Sequence, residues 1–228
     1  MVSKKELFFV AFVLVCTIVF FGISDTDLFI QDKFYNFQEQ KWLLDREDAL
    51  LKFIFYDGIK KLLITIALIL LLALLFLKKH TLIQEYKHGL IIVLLCAFVI
   101  PTLIGGLKKV TNMPCPKQEC RYGGSIVRTA LWQDAQQERG SLACWPAGHA
   151  SGGFALMSLF FLFKSKKNRY LALAMALLIG WIMGLYKMFI GDHFFSHTLI
   201  TMLLAWFCIL SVIYFMQYFN TKTSKENS

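Results

Sequence analysis

A chain of 228 residues with 57% hydrophobic content, 22 Phe and a mean hydropathy of +0.57 carries more apolar side chain than a soluble globule of that length. The apolar residues fall in runs of roughly 20 rather than in amphipathic stripes, which leaves one compact membrane domain over residues 1–228. The formal charge of +9 sits in short Lys and Arg clusters between those runs. It therefore reads as a topology signal and, in part, as phosphate ligands, and no nucleic-acid module is present.

In chain order, Lys4 and Lys5 precede an apolar stretch too long for a secretory signal, and Phe20, Phe21 and Ile23 make a poor cleavage site, so the first run reads as a signal-anchor helix. Spans are predicted at 7–23, 59–77, 89–107, 147–163, 170–190 and 197–219. A run of 19 residues rises roughly 28 Å as a helix, enough for the hydrocarbon core. Between the first two, the segment 31–56 alternates charges with Phe34, Phe37, Trp42, Leu43, Leu50, Phe53 and Phe55, the pattern of an interfacial helix or lid. It either shelters substrate access or simply packs on the bundle. The expected fold is all-α: a six-helix transmembrane bundle with an extracytoplasmic interfacial helix or lid.

Lys78, Lys79 and Lys87, then Lys164, Lys166, Lys167 and Arg169, then Lys222 and Lys225 fall on one side together with Lys4 and Lys5. That side is predicted to be cytoplasmic, at the inner or plasma membrane, with both termini inside. The longer loops, 24–58 and 108–146, lie opposite. Cys16, Cys96 and Cys208 sit within apolar runs, whereas Cys115, Cys120 and Cys144 share the loop 108–146, where at most one pair closes.

Three polar clusters reach the extracytoplasmic face: Lys108-Lys109 with Cys115-Pro116, then Cys144 to Gly153, then Lys187 with Gly191-Asp192-His193-Phe194-Phe195-Ser196-His197. The second opens a span, so the amides around Gly148 and His149 lie near a helix N-terminus, where unpaired N–H groups and the dipole attract anions. The third joins two spans, so His193 can face His149 across the bundle. Cations and amides that neutralise phosphate oxygens, one imidazole that attacks phosphorus and one that protonates the leaving alkoxide make a phosphoryl-transfer site. Ser151 has no nucleophile elbow around it and is assigned to phosphate hydrogen bonding.

These residues resemble the type-2 phosphatidic acid phosphatase superfamily, whose signature is K-x6-R-P, then P-S-G-H, then S-R-x5-H-x3-D. Lys108 and Pro116 match the first motif, Pro146-Ala147-Gly148-His149 the second with alanine for serine, and His193 the histidine of the third. The resemblance implies that His193 is the nucleophile forming a phosphohistidine, that His149 is the acid for the leaving group, and that Lys108, Lys187 and the Gly148 amide hold phosphate. Cys115 stands at the first-motif arginine, Tyr186-Lys187 at Ser-Arg and His197 at the aspartate, so two guanidiniums and a carboxylate are missing. Arg121 and Arg128 are the candidates for the absent fork. A neutral His197 is expected to accept the Nδ1–H of His193 and so orient it. Cys115 and Cys144 bracket the first two motifs and are disulfide candidates, with Cys120 the rival partner for either.

The expected activity is hydrolysis of a lipid phosphomonoester or pyrophosphate with no metal and no cofactor. A lipid-to-lipid phosphotransferase and a non-catalytic phospholipid binder or transporter are the alternatives. His193 and His197 at i, i+4, with His149 and Asp192 nearby, also have the spacing of zinc ligands.

Overall fold

The computed structural model describes residues 2–111, 113–128 and 142–226; residues 129–141, inside the long loop 108–146, lie outside it. The chain is nearly all helical. Helix α1 (Lys4–Ile23) starts on a capping box in which Ser3 and Glu6 exchange hydrogen bonds. Then come α2 (Thr26–Gln31), a 3-10 turn at Asp32–Phe34 and a short antiparallel ribbon of β1 (Tyr35–Asn36) and β2 (Lys41–Trp42). Helix α3 (Ala49–Lys52), capped by the Asp48 carboxylate, passes through a π-helical turn at Phe53–Asp57 into α4 (Gly58–Phe76). After these come α5 (Thr81–Thr111), α6 (Gly148–Ala155) with a 3-10 extension to Phe161, α7 (Lys166–Phe189) and α8 (Phe195–Glu226).

Among the described residues, five helical stretches are long and apolar enough to cross a membrane: Lys4–Ile23, Ala49–Phe76, Thr81–Gln118, Lys166–Phe189 and Phe195–Phe219. The predicted span 147–163 is different. Its helical part, α6 and the 3-10 extension, climbs only about 24 Å and sits inside the bundle, with Ala150, Phe154, Ala155 and Met157 buried against α5, α7 and α8. Apolar composition alone does not separate such a short central helix from a lipid-facing span. Gly153 lets it approach α7 closely, since a Cβ there would lie 2.7 Å from Gly180 Cα.

The buried core joins Ile92, Cys96, Ile100 and Ile104 of α5, Ala150 and Phe154 of α6, Ala176 of α7 and Ala205 and Ile209 of α8. Large apolar side chains such as Phe8, Phe12, Leu62, Leu68, Phe76, Phe98 and Leu171 are exposed instead. Contiguous apolar surface on this scale requires a bilayer around it.

The segment 31–56 is not one interfacial helix. Its first half is the ribbon, and its second half joins α4 in a single run that begins ten residues before the predicted span. The ribbon is fastened over the α7–α8 turn. Tyr35 and Trp42 pack on Tyr122 with ring centroids 5.4 and 5.2 Å away, and Phe194 joins the same buried cluster. Leu44 N–H donates to Phe189 O, and the buried Gln31 amide donates to Met188 O at 2.9 Å. Gly191 makes this closure possible: its φ is +74°, and a Cβ would fall 2.3 Å from the Trp42 ring. Only glycine takes that backbone without cost and leaves room for the indole.

Candidate active site

The three sequence clusters meet at one end of the bundle because short-range hydrogen bonds stitch their backbones together. Thr111, at the end of α5, donates to Trp145 O at 2.6 Å, and Cys144 N–H donates to Met113 O. Lys117 N–H donates to Gly191 O at 3.0 Å, and Ala147 N–H to His197 O at 3.2 Å. A disulfide joins Cys115 to Cys144, with Cα atoms 5.2 Å apart, while Cys120 is a free, exposed thiol. The rival pairing through Cys120 is therefore not the one the structure contains.

At their junction His149 Nδ1 and His193 Nε2 are 3.0 Å apart. His149 is the second residue of α6, and His193 lies in the turn just before α8, 44 positions further on. Their hydrogen bond holds one proton between two nitrogens, so one ring donates while the other offers a lone pair. His193 is 1% exposed. Burial, reinforced by His149, His197, Lys108 and Lys187, depresses its pKa well below the ordinary imidazole value, which keeps the ring neutral.

The pair opens on a cavity of about 570 Å³ lined, among the described residues, by five cations: Arg46, Lys52, Lys108, Lys117 and Lys187. Glu47 and Asp192 are the lining acids among the described residues. Lys108 reaches over the N-terminus of α6, and its stem needs the missing side chain of Gly148, where a Cβ would stand 3.0 Å from Lys108 Cδ. Lys187 is buried, donates to Asp192 Oδ2 at 2.9 Å and lies 4.7 Å from the Tyr56 ring centre. Lys117 donates to Asp192 Oδ1 at 2.7 Å. The π-helical turn aims Phe55 and Tyr56 into this region. Phe55 stacks on Tyr186, and Tyr56 meets the His149 ring edge-on at 4.8 Å.

Four sequence expectations need correction. His197 does not accept a hydrogen bond from His193: the Nδ1 atoms of both rings lack a partner, and the ring centroids are 5.8 Å apart. The i, i+4 argument requires both residues on one helix, and α8 begins only at Phe195. His197 instead accepts Ala147 N–H through its carbonyl, pinning the second cluster onto α8. Ser151 is buried and donates to Gly148 O one turn back at 2.7 Å, so it lies off the cavity.

Arg121 is committed elsewhere. It forms a two-pronged pair with Asp32, Nε to Oδ1 at 2.9 Å and Nη2 to Oδ2 at 2.6 Å, and this pairing holds the Asp32 carboxyl below the usual range. Arg128 stacks over Phe194 and lines a second cavity of about 260 Å³ with Asp27, Ser196 and His197. Neither guanidinium reaches the histidine pair.

Arg46, Lys52, Lys117 and Tyr56 were not singled out from sequence. The first, second and fourth belong to the charged, aromatic segment 31–56, and Lys117 follows the first-motif proline directly. Asp27 was also missed. It is buried, its pKa is raised by burial, and it accepts Ser196 N–H at 2.9 Å and Ser196 Oγ at 2.5 Å, capping α8 beside His193. Among the described residues no group of three or more His, Cys, Asp or Glu is placed to hold a metal ion.

No curated protein and no solved structure matches the chain. A family model described as PAP2 superfamily matches residues 89–221, a stretch that contains Lys108, His149, Lys187 and His193 together with most of α5, all of α6 and α7, and most of α8. Members of that superfamily are phosphatases and phosphoesterases, which supports a hydrolase acting on phosphate esters. More than half of the sequence is covered and all three clusters fall inside it: the chain belongs to the PAP2 superfamily.

Proposed function

We propose that this protein is a lipid phosphate phosphatase that hydrolyses a phosphomonoester or pyrophosphate headgroup at the extracytoplasmic face through a phosphohistidine on His193. The observation that carries the reading is the 3.0 Å approach of His149 Nδ1 to His193 Nε2 at the wall of a cavity lined by five cations.

The incoming phosphoryl group replaces the hydrogen bond between the rings. His193 Nε2 contributes its lone pair to phosphorus and the P–O bond to the lipid alcohol breaks. Burial and the neighbouring lysines lower the His149 pKa to about 3, so His149 takes up its second proton with the anionic substrate, passes the Nδ1 proton to the departing oxygen as an imidazolium and is left neutral. Lys108, Lys117 and Lys187 neutralise the remaining phosphoryl oxygens, as the cations of a phosphoryl-transfer site must. Water then attacks phosphorus, His149 takes a proton from it, and the P–N bond breaks to release phosphate and restore His193. Every proton-linked step belongs to imidazole, so no metal or cofactor is needed.

A lipid substrate is supported by the surroundings. The segment that supplies Arg46 and Lys52 also exposes Leu43, Leu50, Phe53 and Ile54, so headgroup ligands and apolar surface sit on one piece of chain. The extracytoplasmic assignment rests on the basic short connections at the opposite end of the bundle. Purified protein presented with a panel of lipid phosphates in detergent should release inorganic phosphate. His193→Ala and His149→Ala should each lower the rate by roughly 10²-fold or more. Release at wild-type rates by either variant would remove the proposal.

A further inference from the structure

The turn before α8 carries a carboxylate where an anion is meant to bind. Asp192 is 6% exposed. It accepts from Lys187 Nζ through Oδ2 at 2.9 Å and from Lys117 Nζ through Oδ1 at 2.7 Å, and Arg46 Nη1 stands 3.8 Å from Oδ1. Three of the five cations that line the cavity, brought from three separate parts of the chain, thus converge on one internal acid. A single lysine would balance a merely structural aspartate.

This acid is fixed to the nucleophile's own turn. Asp192 N–H donates to Lys187 O at 2.8 Å, and His193 N–H donates to the same carbonyl at 3.3 Å. Gly191 precedes it with φ +74°, so the carboxylate and the nucleophile are carried by one tight turn. Each lysine ammonium has three N–H donors. One stays on Asp192 and two remain for a phosphate, which must enter alongside the Asp192 carboxylate.

We propose that Asp192 is a built-in competing anion that weakens the binding of free inorganic phosphate, so that occupancy of the site depends on the rest of the substrate lipid. The inference rests on the phosphatase reading and adds to it the identity of the residue that discriminates substrate from product. A lipid phosphate brings apolar binding energy that offsets the repulsion. Released phosphate has none, and it departs. Removing one like charge roughly 6 Å from a bound anion, at an effective dielectric of about 20, strengthens binding by at least about tenfold.

Isothermal titration of inorganic phosphate into the full-length protein in detergent reads this without turnover, with phosphate inhibition of hydrolysis as the second measurement. Asp192→Asn should bind phosphate at least about tenfold tighter than wild type, with a matching fall in the inhibition constant. Asp192→Glu keeps the charge and extends it one methylene into the cavity, so it should bind phosphate more weakly than wild type. Equal or weaker binding by Asp192→Asn overturns the inference and leaves Asp192 a spacer for the lysines. Equal or tighter binding by Asp192→Glu overturns it too, and this arm decides alone if the Asn variant does not fold. Wild-type protein that neither binds phosphate nor releases it from any lipid removes the phosphatase reading itself, whereas active wild type without tightening in Asp192→Asn removes only this inference.

Discussion

Breaking the Cys115–Cys144 bond should loosen the site before it unfolds the bundle. The two cysteines are 29 positions apart, and the chain-entropy relation for a loop of that size gives about 3.6 kcal/mol of stabilisation through restriction of the unfolded chain. For a chain of this length each kcal/mol moves the midpoint by roughly 2–4 °C, so loss of the bond predicts a drop on the order of 10 °C. Lys117 stands two residues from one cysteine and Ala147 three from the other, and both segments depend on the hydrogen bonds that end at Met113, Gly191 and His197. KM should therefore rise more than kcat falls. The assay is thermal unfolding and lipid phosphate hydrolysis in detergent for wild type with and without reductant, beside Cys115→Ala/Cys144→Ala. Reductant should move wild type toward the double variant and leave the double variant unchanged. An unchanged midpoint and KM in wild type whose bond mass spectrometry shows to be broken would refute the reasoning.

Other perturbations separate the roles of neighbouring residues. Lys117→Ala should lower kcat/KM at least about tenfold, whereas Arg121→Ala should change it by no more than about threefold, because Arg121 serves the half-exposed Asp32 pair, worth at most about 1 kcal/mol; the reverse order in steady-state kinetics would return Arg121 to the phosphate site. Gly191→Ala forces a left-handed backbone costing about 1–2 kcal/mol and drives a methyl into Trp42, so KM should rise with a change in tryptophan fluorescence; unchanged values would show that the ribbon does not close the site. The depressed pKa of His193 fixes a pH sign. The attacking form is neutral, so falling pH removes activity only as it passes the lowered folded value, and the acid limb of kcat/KM should lie below the ordinary histidine value of about 6.5 once substrate ionisation is divided out. A limb at or above that value would contradict the burial. Asp27→Ala removes the cap on α8 and should cost about 1–2 kcal/mol in thermal stability; no loss would mean that the α8 N-terminus is satisfied by other groups.

The sequence made the apolar helices legible because a run of about 20 apolar residues has one stable solution in a bilayer. It placed His149 and His193 near one another because each sits at a helix boundary on the same side of the bundle. It gives α6 and its 3-10 extension nearly their observed bounds but not their place, since their apolar side chains face other helices rather than lipid, a distinction that composition does not carry. It misjudged His197, since an i, i+4 rule was applied across a helix start. Closeness along the chain points to Arg121 and Arg128, whereas among the described residues the guanidinium that lines the cavity, Arg46, follows a ribbon whose path over the α7–α8 turn is set by Trp42 on Gly191 and by Tyr122. Such long-range packing has no periodic signature.

The central claim concerns a bond between phosphorus and His193 Nε2. Rapid acid-free quenching of the enzyme with a ³²P-labelled lipid phosphate, followed by peptide mapping, should recover label that is stable to base, labile to acid and confined to the peptide containing His193. His149→Ala should not shift it to another residue, and His193→Ala should abolish it. Efficient hydrolysis with no labelled His193 peptide at any quench time, or label persisting in His193→Ala, would contradict the account.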